Sequence, residues 1–324
     1  MNYLLNVDGL EYVGATDINL NNYLSGSIYK FPNGLILERV KDIGKLKHYY
    51  GYGFKILYKG DEIGFFYTKT LDLSYSLGFN SVVKIDNKVF YTKSIDSINK
   101  LIVEALELTT TKISRLDIAY DTDTDVLTKF KTLYNDSSTK FRFMNKIIVG
   151  ASGRLDPQIP VGSLKSRTRC ILIYNKTDEI KAKHKDYIRN THNKVFGINN
   201  IYRVELRIMS KTLEIGNIDI MNLDNEMYLE SIYNTYLDDL IYFTETKSNS
   251  KIEYITLNNT GMKLSRTVKQ KIKCGGKQVK MVINFIDREC NSLGLYGVKT
   301  AWKLIRSTLI KKYGLETWYL TRKQ

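Results

Sequence analysis

A chain of 324 residues with 43% hydrophobic content is long enough to bury a large core, as one big domain or two modest ones. Its 49 Lys and Arg against 34 Asp and Glu leave a formal net charge of +15, which suits a polyanionic partner and makes nucleic acid the leading candidate. No apolar run approaches the ~20 residues that span a bilayer, and the N-terminus lacks a secretory pattern, so the expectation is a soluble, cytoplasmic protein with no membrane partner.

In chain order, the N-terminal third reads as strands and hairpins. Phe54 to Tyr67 carries two β-rich runs around Lys59-Gly60-Asp61-Glu62, and Ser81 to Tyr91 carries two more around Asp86-Asn87. Ser94 is placed to cap a helix whose Ile95, Ile98, Leu101, Ile102, Ala105 and Leu108 recur at three- and four-residue spacing. A strand over Arg115 to Asp121 follows, and then a short helix capped by Asp125 with Val126, Phe130 and Leu133 inward. Further strands are expected over Arg142 to Gly150, Thr168 to Lys176 and Tyr202 to Ile208. A loop holding Pro157 and Pro160 separates the first two of these. Asn222 to Phe243 has the stripe of a long helix, and Glu245 to Lys251 has linker composition.

The remainder is strongly basic. From Gly261 to Gln324 there are 15 Lys and Arg against 3 Asp and Glu, so +12 of the net charge falls in 64 residues. Within it Val298 to Lys312 reads as a helix with Lys299, Lys303 and Arg306 along one stripe, a candidate DNA-contacting face and also the pattern of any surface helix. The organisation expected is therefore a domain over 1–245, β-rich over 1–109 with a core over 110–245, and a basic DNA-recognition region over 252–324. Strands with interposed helices, and hairpins that favour antiparallel pairing, give an α+β class.

Three segments put charge inside strands. In Arg115-Leu116-Asp117-Ile118-Ala119-Tyr120-Asp121 the period of two places Arg115, Asp117 and Asp121 on one face, and Arg203, Glu205 and Arg207 repeat the pattern in the last strand. Charges in a sheet need a counter-charge, a metal or a ligand. If the two strands are neighbours, Asp117, Asp121 and Glu205 could converge on Mg²⁺ or Mn²⁺, which prefer carboxylate oxygens. An ion-pair lattice with Arg115, Arg203 and Arg207 is the alternative. Only His48, His184 and His192 exist, none at ligand spacing, and Cys170, Cys274 and Cys290 lack zinc or disulfide-framework spacing. Tyr174 ends an apolar strand and is followed by Lys176 and Glu179. A tyrosine there is usually packing, but it can attack phosphorus where Lys176, Arg167 and Arg169 supply positive charge.

Taken together, Ser114 to Asp121, the glycine-serine loop, Arg169 to Ile173 leading into Tyr174-Asn175-Lys176 with Glu179, and Tyr202-Arg203-Val204-Glu205 resemble the Rep_trans group of rolling-circle plasmid replication initiators, which includes phage initiators and some conjugative relaxases. The resemblance covers roughly residues 110 to 210. It implies a metal-dependent DNA nickase in which Tyr174 is the nucleophile that forms a 5′-phosphotyrosyl link. It further implies that Asp117 and Glu205, with Asp121 third, are metal ligands, and that Lys176 and Arg115 steady the phosphate. A central antiparallel sheet flanked by helices, a homodimer, and work beside a host helicase and polymerase are likewise implied. Two features depart from the group: the loop from Arg154 to Lys165 is longer than usual, and Ile180 follows Glu179. A conjugative relaxase and a DNA-binding factor that does not cleave are the competing readings.

Overall fold

The computed structural model describes residues 3–16, 18, 27–43, 50–70, 80–141, 158–162, 169–197, 199–209, 218–237, 240–255 and 257. The chain divides at Arg266/Thr267 into two units, and all of these residues belong to the first.

Long strands set the frame. β1 (Tyr3–Ala15), β2 (Ile28–Lys30), β3 (Leu35–Arg39), β4 (Tyr50–Tyr58), β5 (Asp61–Thr70), β6 (Ser81–Ile85), β7 (Thr109–Thr122), β9 (Gln158–Val161), β10 (Arg169–Asn175) and β11 (Tyr202–Met209) join in one sheet. Its order is β2-β3-β4-β5-β6-β1-β7-β11-β10-β9, and every pairing is antiparallel. The expected α+β class with a mainly antiparallel sheet is what the molecule has. A small second sheet joins β8 (Thr139–Phe141), β12 (Phe243–Glu245) and β13 (Lys251–Ile252).

Alternation decides which face is buried. Leu5, Val7, Leu10 and Tyr12 of β1 lie beside Leu116, Ile118 and Tyr120 of β7, and all are buried. Helix α6 (Glu226–Leu237) closes over this apolar face, with Tyr120 stacked between Tyr3 and Tyr233 at centroid distances of 5.3 and 6.2 Å. Helix α2 (Ile95–Ala105) covers β3 with Ile98 and Ile102, and its cap is Ser94, whose side chain accepts from the Ser97 amide. Helix α3 (Val126–Asn135) is capped by Asp125 and buries Val126 and Phe130. Opposite, α1 (Val89–Thr92), α4 (Lys176–Lys183) and α5 (Asp186–Phe196) gather around the polar face. Among the described residues, no helix is long and apolar enough to cross a membrane.

Two glycines mark close approach. A Cβ on Gly64 would lie 2.3 Å from the Lys84 carbonyl oxygen across the β5–β6 pairing, and one on Gly9 would lie 3.0 Å from Asp117 Oδ2.

Several local expectations are corrected. The second β-run after Asp86-Asn87 is the short helix α1, because both side chains hold a turn: Asp86 accepts from the Lys88 amide and Asn87 donates to Asp8. Part of the proline loop is strand β9, and Pro160 is tolerated there because β9 is the sheet edge. Helix α6 is shorter than its stripe, and Phe243 instead starts β12. Residues 245–251 turn between β12 and β13, with Asn249 at φ 57°. The expected strand over 142–150 and the helix over 298–312 lie outside the described residues.

Candidate active site

Four adjacent strands carry the polar face. Their register aligns Tyr174 of β10 with Arg203 of β11 and Asp121 of β7, then Leu172 with Glu205 and Ala119, then Cys170 with Arg207 and Asp117. On β1 the partners of Asp121, Ala119 and Asp117 are Leu4, Asn6 and Gly9, and a register shift between Val7 and Gly9 leaves Asp8 as the extra residue.

At one end Arg203 is fully buried among acidic side chains. Its Nε and Nη2 each donate to Asp121 at 2.6 Å, its Nη1 lies 2.7 Å from Asp8 Oδ1, and its Nη2 also donates to the Tyr91 hydroxyl at 2.8 Å. His192 Nε2 lies 2.8 Å from Asp121 Oδ2. Burial pushes the Asp121 carboxyl up, but Arg203 and His192 outweigh it and hold it down at about 2. Asp8 is treated likewise: burial raises it, while Arg203, Lys176 and the Tyr91 hydroxyl hold it well below the carboxylate range.

Toward the middle, the Tyr174 hydroxyl donates to Glu205 Oε2 at 3.0 Å, and Arg207 Nη2 donates to Glu205 Oε1 at 3.2 Å. Burial, with the Asp8 and Asp117 charges adding to it, raises the Glu205 carboxyl. Burial also carries the Tyr174 phenol well above its ordinary value, and the Glu205 and Asp8 charges reinforce this. The resting pair is thus a neutral phenol beside an unusually basic carboxylate.

At the other end Asp117 is gripped from both sides. Arg115 donates to it through Nε at 3.0 and 3.1 Å and through Nη2 at a shorter distance, and Arg207 Nε donates at 3.1 and 3.2 Å. Arg115 also reaches Glu11 at 3.4 Å. Lys176, fully buried at the start of α4, donates to Glu179 at 2.5 Å with its ammonium 5.8 Å from the Tyr174 ring centroid. Burial, then the Arg203 charge, lower its affinity for the proton.

The structure therefore brings Tyr174, Lys176, Arg115, Asp117, Asp121 and Glu205 onto one face. It does not bring Arg169 there: that side chain lies on the α6 side and donates to the Tyr236 carbonyl at 3.3 Å. Arg167, Lys299, Lys303 and Arg306 lie outside the described residues. Each of the three carboxylates expected to share a cation has a guanidinium partner: Asp117 has Arg115 and Arg207, Asp121 has Arg203, and Glu205 has Arg207. Among the described residues no group of three or more His, Cys, Asp and Glu is arranged to hold a metal ion. As arranged here, with both Asp117 and both Asp121 oxygens already occupied by cationic donors, this set does not fit a divalent cation.

Sequence reasoning missed Asp8, Tyr91 and His192. An Asp-Gly pair inside the run of β1 was the available signal, since such a pair in a strand marks a bulge. Tyr91 and His192 left none, because only tertiary packing brings Tyr91 to Arg203 and His192 to Asp121.

Residues 74–228, which contain all three charged segments, match the model of the Phage_CRI family, described as the N-terminal part of a replication-associated protein. The chain is also similar to the rolling-circle replication initiator protein from Geobacillus stearothermophilus, at 15% identity and a TM-score of 0.45, over 82% of this chain and 93% of that one. No curated protein matches.

Proposed function

We propose that this protein initiates rolling-circle replication by nicking one DNA strand at an origin, with Tyr174 as the nucleophile. One observation carries the reading: the Tyr174 hydroxyl is hydrogen-bonded to a raised-pKa carboxylate, Glu205, on a sheet face lined by Arg115, Arg207 and Lys176. The match of residues 74–228 to a replication-associated family supports it.

In this reading the phenolic oxygen attacks the scissile phosphorus as its proton passes to Glu205 Oε2. The bond from phosphorus to the 3′-oxygen breaks, the freed 3′-oxygen takes up a proton, and the 5′-phosphate remains on Tyr174. Arg115, Arg207 and Lys176 meet the charge that builds on the phosphoryl oxygens, where burial makes each of them more effective than in water. Arg203 does not reach out to substrate; it fixes Asp121, Asp8 and Tyr91 behind the nucleophile. The Mg²⁺ or Mn²⁺ expected from the sequence enters no step here, and nicking with and without a chelator measures whether one joins with the DNA. The homodimer, the DNA-recognition role of residues 252–324 and the host helicase and polymerase belong to the same proposal.

Tyr174 is only 5% exposed, and that observation favours the second reading, a DNA-binding factor that does not cleave. Incubation with supercoiled DNA carrying the cognate origin, followed by denaturation, separates the two. A protein-linked nicked strand supports the nickase, and tight binding without a linked strand supports the binding factor.

A further inference from the structure

Beside the site lies a cavity of about 240 Å³ between α4, α5 and the segment leading into β11. Its floor is formed by Ile180, Ile201 and His192, each 3% exposed. His192 Nε2 is taken by Asp121, while its Nδ1 is buried and has no hydrogen-bond partner among the described residues. Asp121 is ionised and can only accept, so Nε2 carries the hydrogen, and Nδ1 is left as an unpaired polar atom of a residue that lines the cavity. A buried polar atom left without a partner costs free energy that a hydrogen bond to a ligand would recover.

The rim has a different chemistry. Lys181 and Arg189 stand on it, with Arg189 also 3.6 Å from Asp186, and among the described residues no carboxylate lines the cavity. Asn193, Asn199 and Asn200 add amides that both donate and accept. The volume falls below the roughly 300–1,000 Å³ of pockets that take drug-sized ligands, so the occupant is one small unit. Apolar side chains beneath, an unpaired ring nitrogen at the back, amides around the edge and two cations at the mouth match a nucleobase with its phosphate.

The cavity is also stitched to the nucleophile. The Lys176 and Thr177 amides donate to the Ile201 carbonyl at 2.8 and 3.3 Å, and the Ile201 amide donates to Thr177 Oγ1 at 2.8 Å. These bonds fix the cavity floor to the residues that directly follow Tyr174. Through Asp121 the same floor touches Arg203.

We infer that this cavity binds one unstacked nucleotide of the DNA strand, its base against Ile180, Ile201 and His192 Nδ1 and its phosphate toward Lys181 and Arg189. The inference rests on the nickase reading and assigns that reading a position at which base identity is read. Extruding one base from a single strand costs little, which makes such a pocket a low-cost source of selectivity.

The test titrates the full-length chain with each of the four deoxynucleoside 5′-monophosphates and with inorganic phosphate, observed by NMR. Saturable binding is expected for at least one nucleotide, about tenfold tighter than for inorganic phosphate, as one additional base-edge hydrogen bond would give. Arg189→Gln and Asn193→Leu, both at exposed rim positions, should each weaken it by about the same factor. His192→Phe removes the unpaired ring nitrogen and should relax the preference among bases. Equal binding of inorganic phosphate, or nucleotide binding that neither rim variant changes, overturns the inference, as does the absence of saturation by any nucleotide. Covalent adduct formation by the unaltered chain is measured alongside. An adduct without nucleotide binding rejects the pocket alone, and absence of both rejects the nickase reading with it.

Discussion

Glu205 and Tyr174 face each other across neighbouring strands, and their mutual geometry sets what each can do. Replacing Glu205 by Gln keeps a hydrogen-bond acceptor for the phenol but removes the base. Nicking should fall by roughly 10²–10⁴-fold while DNA affinity is retained. Because Glu205 is raised by burial and by Asp8 and Asp117, nicking should increase with pH through a value above the ordinary carboxylate range, and Glu205→Gln should lose that limb. A pH–rate profile of both proteins checks this. Arg203 is a different kind of residue. Arg203→Met strands Asp121 and Asp8 without their counter-charge and should cost about 3–5 kcal/mol, read from urea denaturation. The two arginine-flanked acids were legible in the sequence because a period of two puts them on one face. Their partners were not: whether Asp117 meets a metal or a guanidinium depends on strand register, and no sequence spacing encodes that Arg207 lies opposite Asp117.

At the scale of elements, strong local signals translated directly. Ser94 and Asp125 cap the helices they precede, and the hairpin around Lys59-Gly60 forms with both residues at positive φ. What failed were segments where tertiary partners override propensity. Val89 to Thr92 follows a β-like composition yet coils, because Asn87 anchors the turn to Asp8 and Tyr91 must reach Arg203. Pro160 sits in a strand because the strand is an edge. Gly64 offers a test at this scale. Its Cβ would overlap the Lys84 carbonyl, so Gly64→Ala must push β5 and β6 apart and should destabilise the chain by roughly 1–3 kcal/mol, measured by thermal or urea unfolding. Strand β1 separates β6 from the active-site pairings β7–β11–β10, so any surviving folded fraction should retain DNA binding.

For the whole molecule, one ten-stranded sheet carries an apolar face under α2 and α6 and a charged face under α1, α4 and α5, so the folded state concentrates ionised carboxylates where burial penalises them. Asp121 and Glu179 are both held at about 2 against their cationic partners, below their ordinary values of 3.8 and 4.5. A lowered carboxylate contributes stability above its unfolded value and loses it as pH falls toward the folded one. Stability should therefore drop steeply between about pH 4 and pH 2, and Asp121→Asn, though less stable at neutral pH, should show a shallower drop. Thermal unfolding across that range reads the slope.

The central claim is that Tyr174 takes the 5′-phosphate. The most direct measurement incubates the protein with single-stranded DNA spanning its origin, digests the covalent product and maps the modified residue by mass spectrometry. The reading predicts a nucleotide-bearing peptide that contains Tyr174 and vanishes in Tyr174→Phe while DNA binding persists. An adduct on any other residue, or one that survives Tyr174→Phe, contradicts it.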